Sequence, residues 1–181
     1  MRQEVRFTGY GGQGIALMAA LFGKAAALFD NKHAVLTQSY GPESRGGASN
    51  ADVVIDDQSV DFPLVARPDI LVVMFQEAYD RFRPTLKKGG ILFVDTGLVR
   101  VDKQDKDCFG VPALKLAEEL GKKMVANVVM LGYFGAASAL VRREALEEAI
   151  RKTVKSKFID LNIEAFARGY EWSKNKAVAG K

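Results

Sequence analysis

The chain is poor in the residues that most often carry chemistry. In 181 residues it has one cysteine, one histidine and one tryptophan. A single cysteine, Cys108, excludes an intrachain disulfide and suits a reducing compartment. One Cys and one His cannot build a four-cysteine iron–sulfur site or a His/Cys zinc site. Ser-His or Cys-His catalysis would have to use His33 or Cys108. The first sits at a strand entrance and the second in a polar connection, where turn and filler roles are commoner. A secretory pattern is missing from the N-terminus, where glycines interrupt the place of an apolar core. Long apolar runs are also scarce. The longest uncharged stretch, "MVANVVMLGYFGAASALV" at 124–141, holds Asn127, Ser138 and two glycines, which reads as a buried helix rather than a membrane span.

What is present describes an ordinary α/β domain. Apolar residues make up 48% and charged residues 27%, with a net charge of +4. The excess is C-terminal: ten Lys/Arg face six Asp/Glu from Arg142 onward, while the rest balances. This reads as a solvated helix face, because a nucleic-acid surface needs denser cations interleaved with aromatics. Strands are expected at 5–8, 33–39, 51–55, 69–75 and 89–97. A helix is expected at 13–28 and a short one after 76. Beyond 99 come a connection with one short edge strand and then successive helices. The pattern predicts a Rossmann-like, mostly parallel sheet with flanking helices and a helical C-terminal region. Residues 1–174 form a single domain in this reading, and 175–181 a flexible tail.

The stretch "RFTGYGGQGIALMAA" carries G-x-G-x-x-G at Gly9, Gly11 and Gly14, after a strand and before a helix. Gly9 permits the tight turn, Gly11 a close ligand approach, and Gly14 packing of helix on strand. Backbone N–H groups from Gly12 to Gly14 then offer an anion site. The second requirement of a dinucleotide site is missing. The following strand ends "LTQSY", with no carboxylate for the ribose, and Arg45 lies beyond Pro42. An independent NAD(P)-dependent oxidoreductase is therefore the alternative rather than the main reading. A stand-alone anion-binding regulator would explain the glycines but not the loop described next. "FVDTG" mimics an aspartic-protease turn, yet one copy could work only across a dimer. Asp95 is better read as a strand-end carboxylate that faces the crevice or caps the next turn.

"TQSYGPESRGGASNADVVI", with "GYGGQG" and the later "ANVVMLGYFGA", resembles the gamma subunit of the 2-oxoacid:ferredoxin oxidoreductases, over about 4–174. The wording "TQSYGPESRGG" is most similar to the 2-oxoglutarate type. The resemblance implies a multi-subunit enzyme that oxidatively decarboxylates a 2-oxoacid, forms an acyl-CoA and reduces ferredoxin. Thiamine diphosphate and Mg2+ would sit between alpha and beta subunits, with iron–sulfur clusters also on partners, a delta subunit among them in some members. This chain would hold no cofactor alone, bind no nucleic acid or membrane, and work in the cytoplasm as a structural, coenzyme-A-adjacent subunit. Site residues implied for cofactor or subunit contact are Gly9, Gly11, Gly12, Gln13 and Gly14 in the turn, with Asp95. In the loop they are Tyr40, Glu43, Arg45, Gly46 and Gly47. Arg45 is the main cation, suited to a carboxylate or phosphate. Its competing role is a structural ion pair with Glu43 or Asp52.

Overall fold

Alternate residues of the first strand divide the molecule into two unequal cores. The computed structural model describes residues 1–38, 47–106 and 108–179. β1 (Gln3–Tyr10) turns Val5 and Phe7 to one face of the sheet and Arg6 and Thr8 to the other. It is followed by α1 (Ile15–Lys24), which continues as a π-helical segment (Ala25–Phe29), then β2 (His33–Gln38) and β3 (Ala48–Asp56). β4 (Ile70–Val73), α2 (Gln76–Phe82), β5 (Ile91–Asp95) and β6 (Phe109–Val111) complete the sheet region. Among the described residues four α-helices follow: α3 (Ala113–Glu119), α4 (Ala126–Ser138), α5 (Arg143–Thr153) and α6 (Ile159–Ala179). β6 is the short edge strand expected from the sequence.

The strand order is β2-β3-β1-β4-β5-β6. β1, β4, β5 and β6 pair in parallel, while β3 runs antiparallel to both its neighbours. A Rossmann sheet would place the second strand beside the first; here β3 lies between them. Chain length explains the reversal. Residues 39–47 join β2 to β3, fewer than the roughly dozen that a parallel crossover requires. The antiparallel register runs from Gln3 opposite Ile55 to Tyr10 opposite Ala48. It returns the chain to the carboxyl end of β1, next to the glycine turn.

The larger core lies between the sheet and α1, α4, α5 and α6. Phe7, Phe22, Phe93 and Phe134 form its centre, with Phe134 5.5, 5.2 and 5.2 Å from the rings of Phe7, Phe22 and Phe93. Such edge contacts add about 0.5–1.5 kcal/mol per pair to the area buried. α4 is buried from Ala126 to Gly135, so the uncharged stretch is a core helix. At Gly132 it meets α6 directly: a Cβ there would lie 2.0 Å from the Phe166 carbonyl oxygen, and one at Gly169 of α6 1.9 Å from that of Val129. The smaller core lies on the other face, where α2 covers Leu71, Val73, Leu92 and Val94.

A polar cluster crosses this second face. Arg6 and Asp52 are register partners on β1 and β3, 8% and 6% exposed. The guanidinium donates twice to the carboxylate, each at 2.8 Å, and also to Val65 O at 2.6 Å and Thr85 Oγ1 at 3.1 Å. Burying this pair costs desolvation, which the bidentate geometry and extra acceptors offset.

Candidate functional site at the carboxyl end of the sheet

The carboxyl end of β1 becomes a turn because Gly12 and Gly14 adopt φ of 97° and 73°, which side chains rarely tolerate. The third glycine differs from expectation. A Cβ at Gly14 would meet Asn127 Nδ2 at 2.4 Å, so Gly14 makes room for α4 rather than for a strand. Asn127 Nδ2 donates to Gly14 O at 3.1 Å and fixes that approach. Gly9 instead makes space for the first turn of α1, where Ile15 Cδ1 would lie 2.6 Å from its Cβ.

Gln13 closes the turn from within. Its Oε1 accepts from Tyr10 N at 2.7 Å and its Nε2 donates to Met74 O at 3.1 Å, tying the turn to β4. Gly11 N donates to Gly47 O at 3.2 Å, and Gln13 N to Tyr10 O at 3.1 Å. Two of the N–H groups that a phosphate cradle would offer are therefore engaged by the chain itself. Those of Gly12, Gly14 and Ile15 have no acceptor among the described residues and stand where the dipole of α1 favours an anion. Beside the turn, the rings of Tyr10 and Phe75 sit 5.2 Å apart, with Tyr10 exposed.

Gly47 thus joins the turn, and the structure brings it together with Gly9, Gly11, Gly12, Gln13 and Gly14. Tyr40, Glu43, Arg45 and Gly46 lie outside the described residues. Asp52, one alternative partner for Arg45, is held by Arg6. Asp95 is at the same end of the sheet but fully buried. Its carboxylate accepts from Gly97 N and Leu114 N, both at 2.9 Å, linking the end of β5 to the start of α3. Burial pushes its pKa above the ordinary carboxylate value, and those N–H donors oppose the rise. A cavity of about 520 Å³ opens nearby between Gln76 and residues 96–100.

Three contributors escaped the sequence reading: Asn127, Phe75 and the Arg6–Asp52 pair. Arg6 and Asp52 each interrupt an apolar strand, which signals a buried charge; their partnership depends on register. A further network does so on longer range. Asp105 accepts from Tyr79 Oη at 2.6 Å and twice from Arg83 at 2.5 Å. The Arg83 hydrogen bonds hold the Asp105 carboxyl below its usual range. Burial, reinforced by Asp105, pushes the Tyr79 hydroxyl up to about 12.

The topology bears on nucleotide binding. A ribose carboxylate belongs at the end of the strand beside β1. That strand is β3, whose end at this side is Ala48, while Gln38 is one strand farther out. Among the described residues no group of three or more His, Cys, Asp or Glu is placed to hold a metal ion. No helix among them is long and apolar enough to cross a membrane.

Comparison with known proteins decides the family. The model of the pyruvate ferredoxin/flavodoxin oxidoreductase family matches residues 4–172. This chain is a gamma subunit of the 2-oxoacid:ferredoxin oxidoreductases. It is 47% identical to the 2-oxoglutarate synthase subunit KorC of Methanocaldococcus jannaschii, over 96% of this chain and 95% of that one. A solved keto/oxoacid ferredoxin oxidoreductase gamma subunit from Geobacter sulfurreducens is 38% identical, with a TM-score of 0.87. That likeness covers 97% of this chain and 98% of the other. The ketoisovalerate oxidoreductase subunit VorA of Methanothermobacter marburgensis is 36% identical over 94% of this chain, which spans 36% of that longer protein. A stretch similar to this chain thus also occurs within a longer protein.

Proposed function

We propose that this gamma subunit serves an enzyme that oxidatively decarboxylates 2-oxoglutarate or a related 2-oxoacid in the cytoplasm. The enzyme joins the acyl group to coenzyme A and passes the electrons to ferredoxin. In this reading residues 1–174 act as one docking domain for alpha and beta subunits, with delta where present, and the chain has no turnover alone. Thiamine diphosphate, Mg2+ and the clusters belong to partners, where they supply carbanion and electron-transfer chemistry. This chain's own part is positional. Gly12, Gly14 and Ile15 direct N–H groups toward an anionic group, Gln13 keeps the turn closed, and Tyr10 with Phe75 offers an aromatic face to a partner. Arg45 supplies the cation for a carboxylate or for a phosphate of coenzyme A.

The observation that carries this reading is the match across residues 4–172, joined to a glycine turn that has lost the ribose-binding neighbour of a dinucleotide site. The identity to KorC favours 2-oxoglutarate as the substrate. The test is reconstitution. The chain alone should reduce no acceptor with any 2-oxoacid, and restoring its partners should restore acyl-CoA formation. In the assembled enzyme, Arg45→Ala should weaken assembly or raise the KM for coenzyme A. Turnover by the pure chain overturns the docking role, and an Arg45→Ala enzyme unchanged in both measures removes Arg45 from the site.

A further inference from the structure

The corner between α5 and α6 carries a second surface, away from the glycine turn. α1 starts at that turn and its last residue, Lys24, donates through Nζ to Thr153 Oγ1 at 3.3 Å, on the last residue of α5. The corner therefore lies toward the amino end of the sheet. Residues 149–159 contain Arg151, Lys152, Lys155 and Lys157 and no carboxylate. All four cations are exposed. Lys152 reaches Glu148 at 3.6 Å; Arg151, Lys155 and Lys157 make no ion pair among the described residues. The nearest following acid, Asp160, sits in the first turn of α6, where the helix dipole favours it.

Hydrogen bonds brace this corner. Ser156–Phe158 is a 3-10 turn, closed by Phe158 N donating to Lys155 O at 2.8 Å. Asn162 Nδ2 donates to Phe158 O at 2.8 Å and pins the turn to α6. On it the Phe158 ring stands 41% exposed, with Lys157 Nζ 4.9 Å from its centroid. An exposed aromatic with a lysine over its ring, on a turn that carries three further exposed cations nearby in the chain, has features of a contact surface, where an apolar anchor sits beside charge. Exposed like charges on one short segment favour contact with an opposite charge.

We propose that this corner docks an acidic face of a partner subunit of the same oxidoreductase. The proposal rests on the subunit role given above. Its test uses the full chain and the remaining subunits purified without it, titrated from about 50 mM to 500 mM salt, a range over which exposed charges become screened. The wild-type chain should bind less tightly as salt rises. A variant with Arg151→Glu, Lys155→Glu and Lys157→Glu should lose about tenfold or more in affinity at low salt, with a flatter salt dependence. Phe158→Ser should weaken binding at every salt concentration. If the triple variant fails to fold by circular dichroism, Lys155→Gln with Lys157→Gln gives the same readout through neutral side chains. Wild-type affinity and slope in the charge variants overturn the proposal. So does a loss of heparin or nucleic-acid binding with subunit affinity untouched. Failure of the wild-type chain to associate at all instead overturns the subunit role itself.

Discussion

Replacing Gly132 by Ala tests how α4 and α6 are held. By helix propensity alone the change should stabilise the protein by about 1 kcal/mol, because Ala is the better helix former. Geometry argues the opposite. The new Cβ would stand 2.0 Å from the Phe166 carbonyl oxygen and 2.9 Å from its carbonyl carbon, both backbone atoms of the facing helix. Real Cβ contacts stay beyond 3.0 Å, so the helices must part by about an ångström or more. That opens the packing around Phe134 and Phe166, both fully buried. Overpacking of this kind costs about 1–3 kcal/mol, and a rigid backbone contact belongs at the upper end. The net loss should be about 2 kcal/mol, lowering Tm by roughly 4–8 °C for a chain of this size. Gly169→Ala should behave alike, its Cβ lying 1.9 Å from Val129 O. Gly135→Ala meets only the tip of Leu146 at 2.6 Å and should cost little. Gly23→Ala, 3.6 Å from Val53 Cγ1, should be neutral or stabilising. Urea unfolding of the four variants measures the order. A Gly132→Ala protein as stable as wild type would refute the account of the crossing.

Two further outcomes follow from the polar clusters. Asp52→Ala leaves the Arg6 guanidinium buried without its carboxylate and should cost about 3–5 kcal/mol; Arg6→Met strands Asp52 with a similar loss. The double variant should recover part of the sum, and strictly additive losses in a double-mutant cycle would deny that the pair acts as a unit. Asp105 has its pKa lowered from 3.8, so the folded state binds fewer protons there than the unfolded chain. Its contribution is present above the unfolded value and lost as pH falls through the folded one. The stability gap between wild type and Asp105→Asn should be constant above about pH 5 and shrink below 3.8 in denaturant unfolding, whereas a gap independent of pH contradicts that role.

Local pattern carried most elements. Apolar runs located β1, β3, β4 and β5, and helical spacing located α3, α5 and α6, because each must bury a stripe or face in its own period. The direction of β3 was not legible. Ala51 to Ile55 is buried on both faces, and a strand without apolar–polar alternation, its one charge at Asp52 aside, reads alike in either direction. The glycine turn was visible as a motif, but the role of Gly14 was not, since Asn127 lies far along the chain.

The residues themselves determined that this is an α/β domain with a strand–glycine–helix turn, and short-range wording pointed to its family. These features depend on neighbours along the chain. Tertiary structure alone decided that β3 stands beside β1, that Arg6 meets Asp52, and that α4 and α6 touch through Gly132 and Gly169. It also drew Lys24 to Thr153 at the end of α5. Each depends on register or helix crossing, which arise only when distant segments share one core.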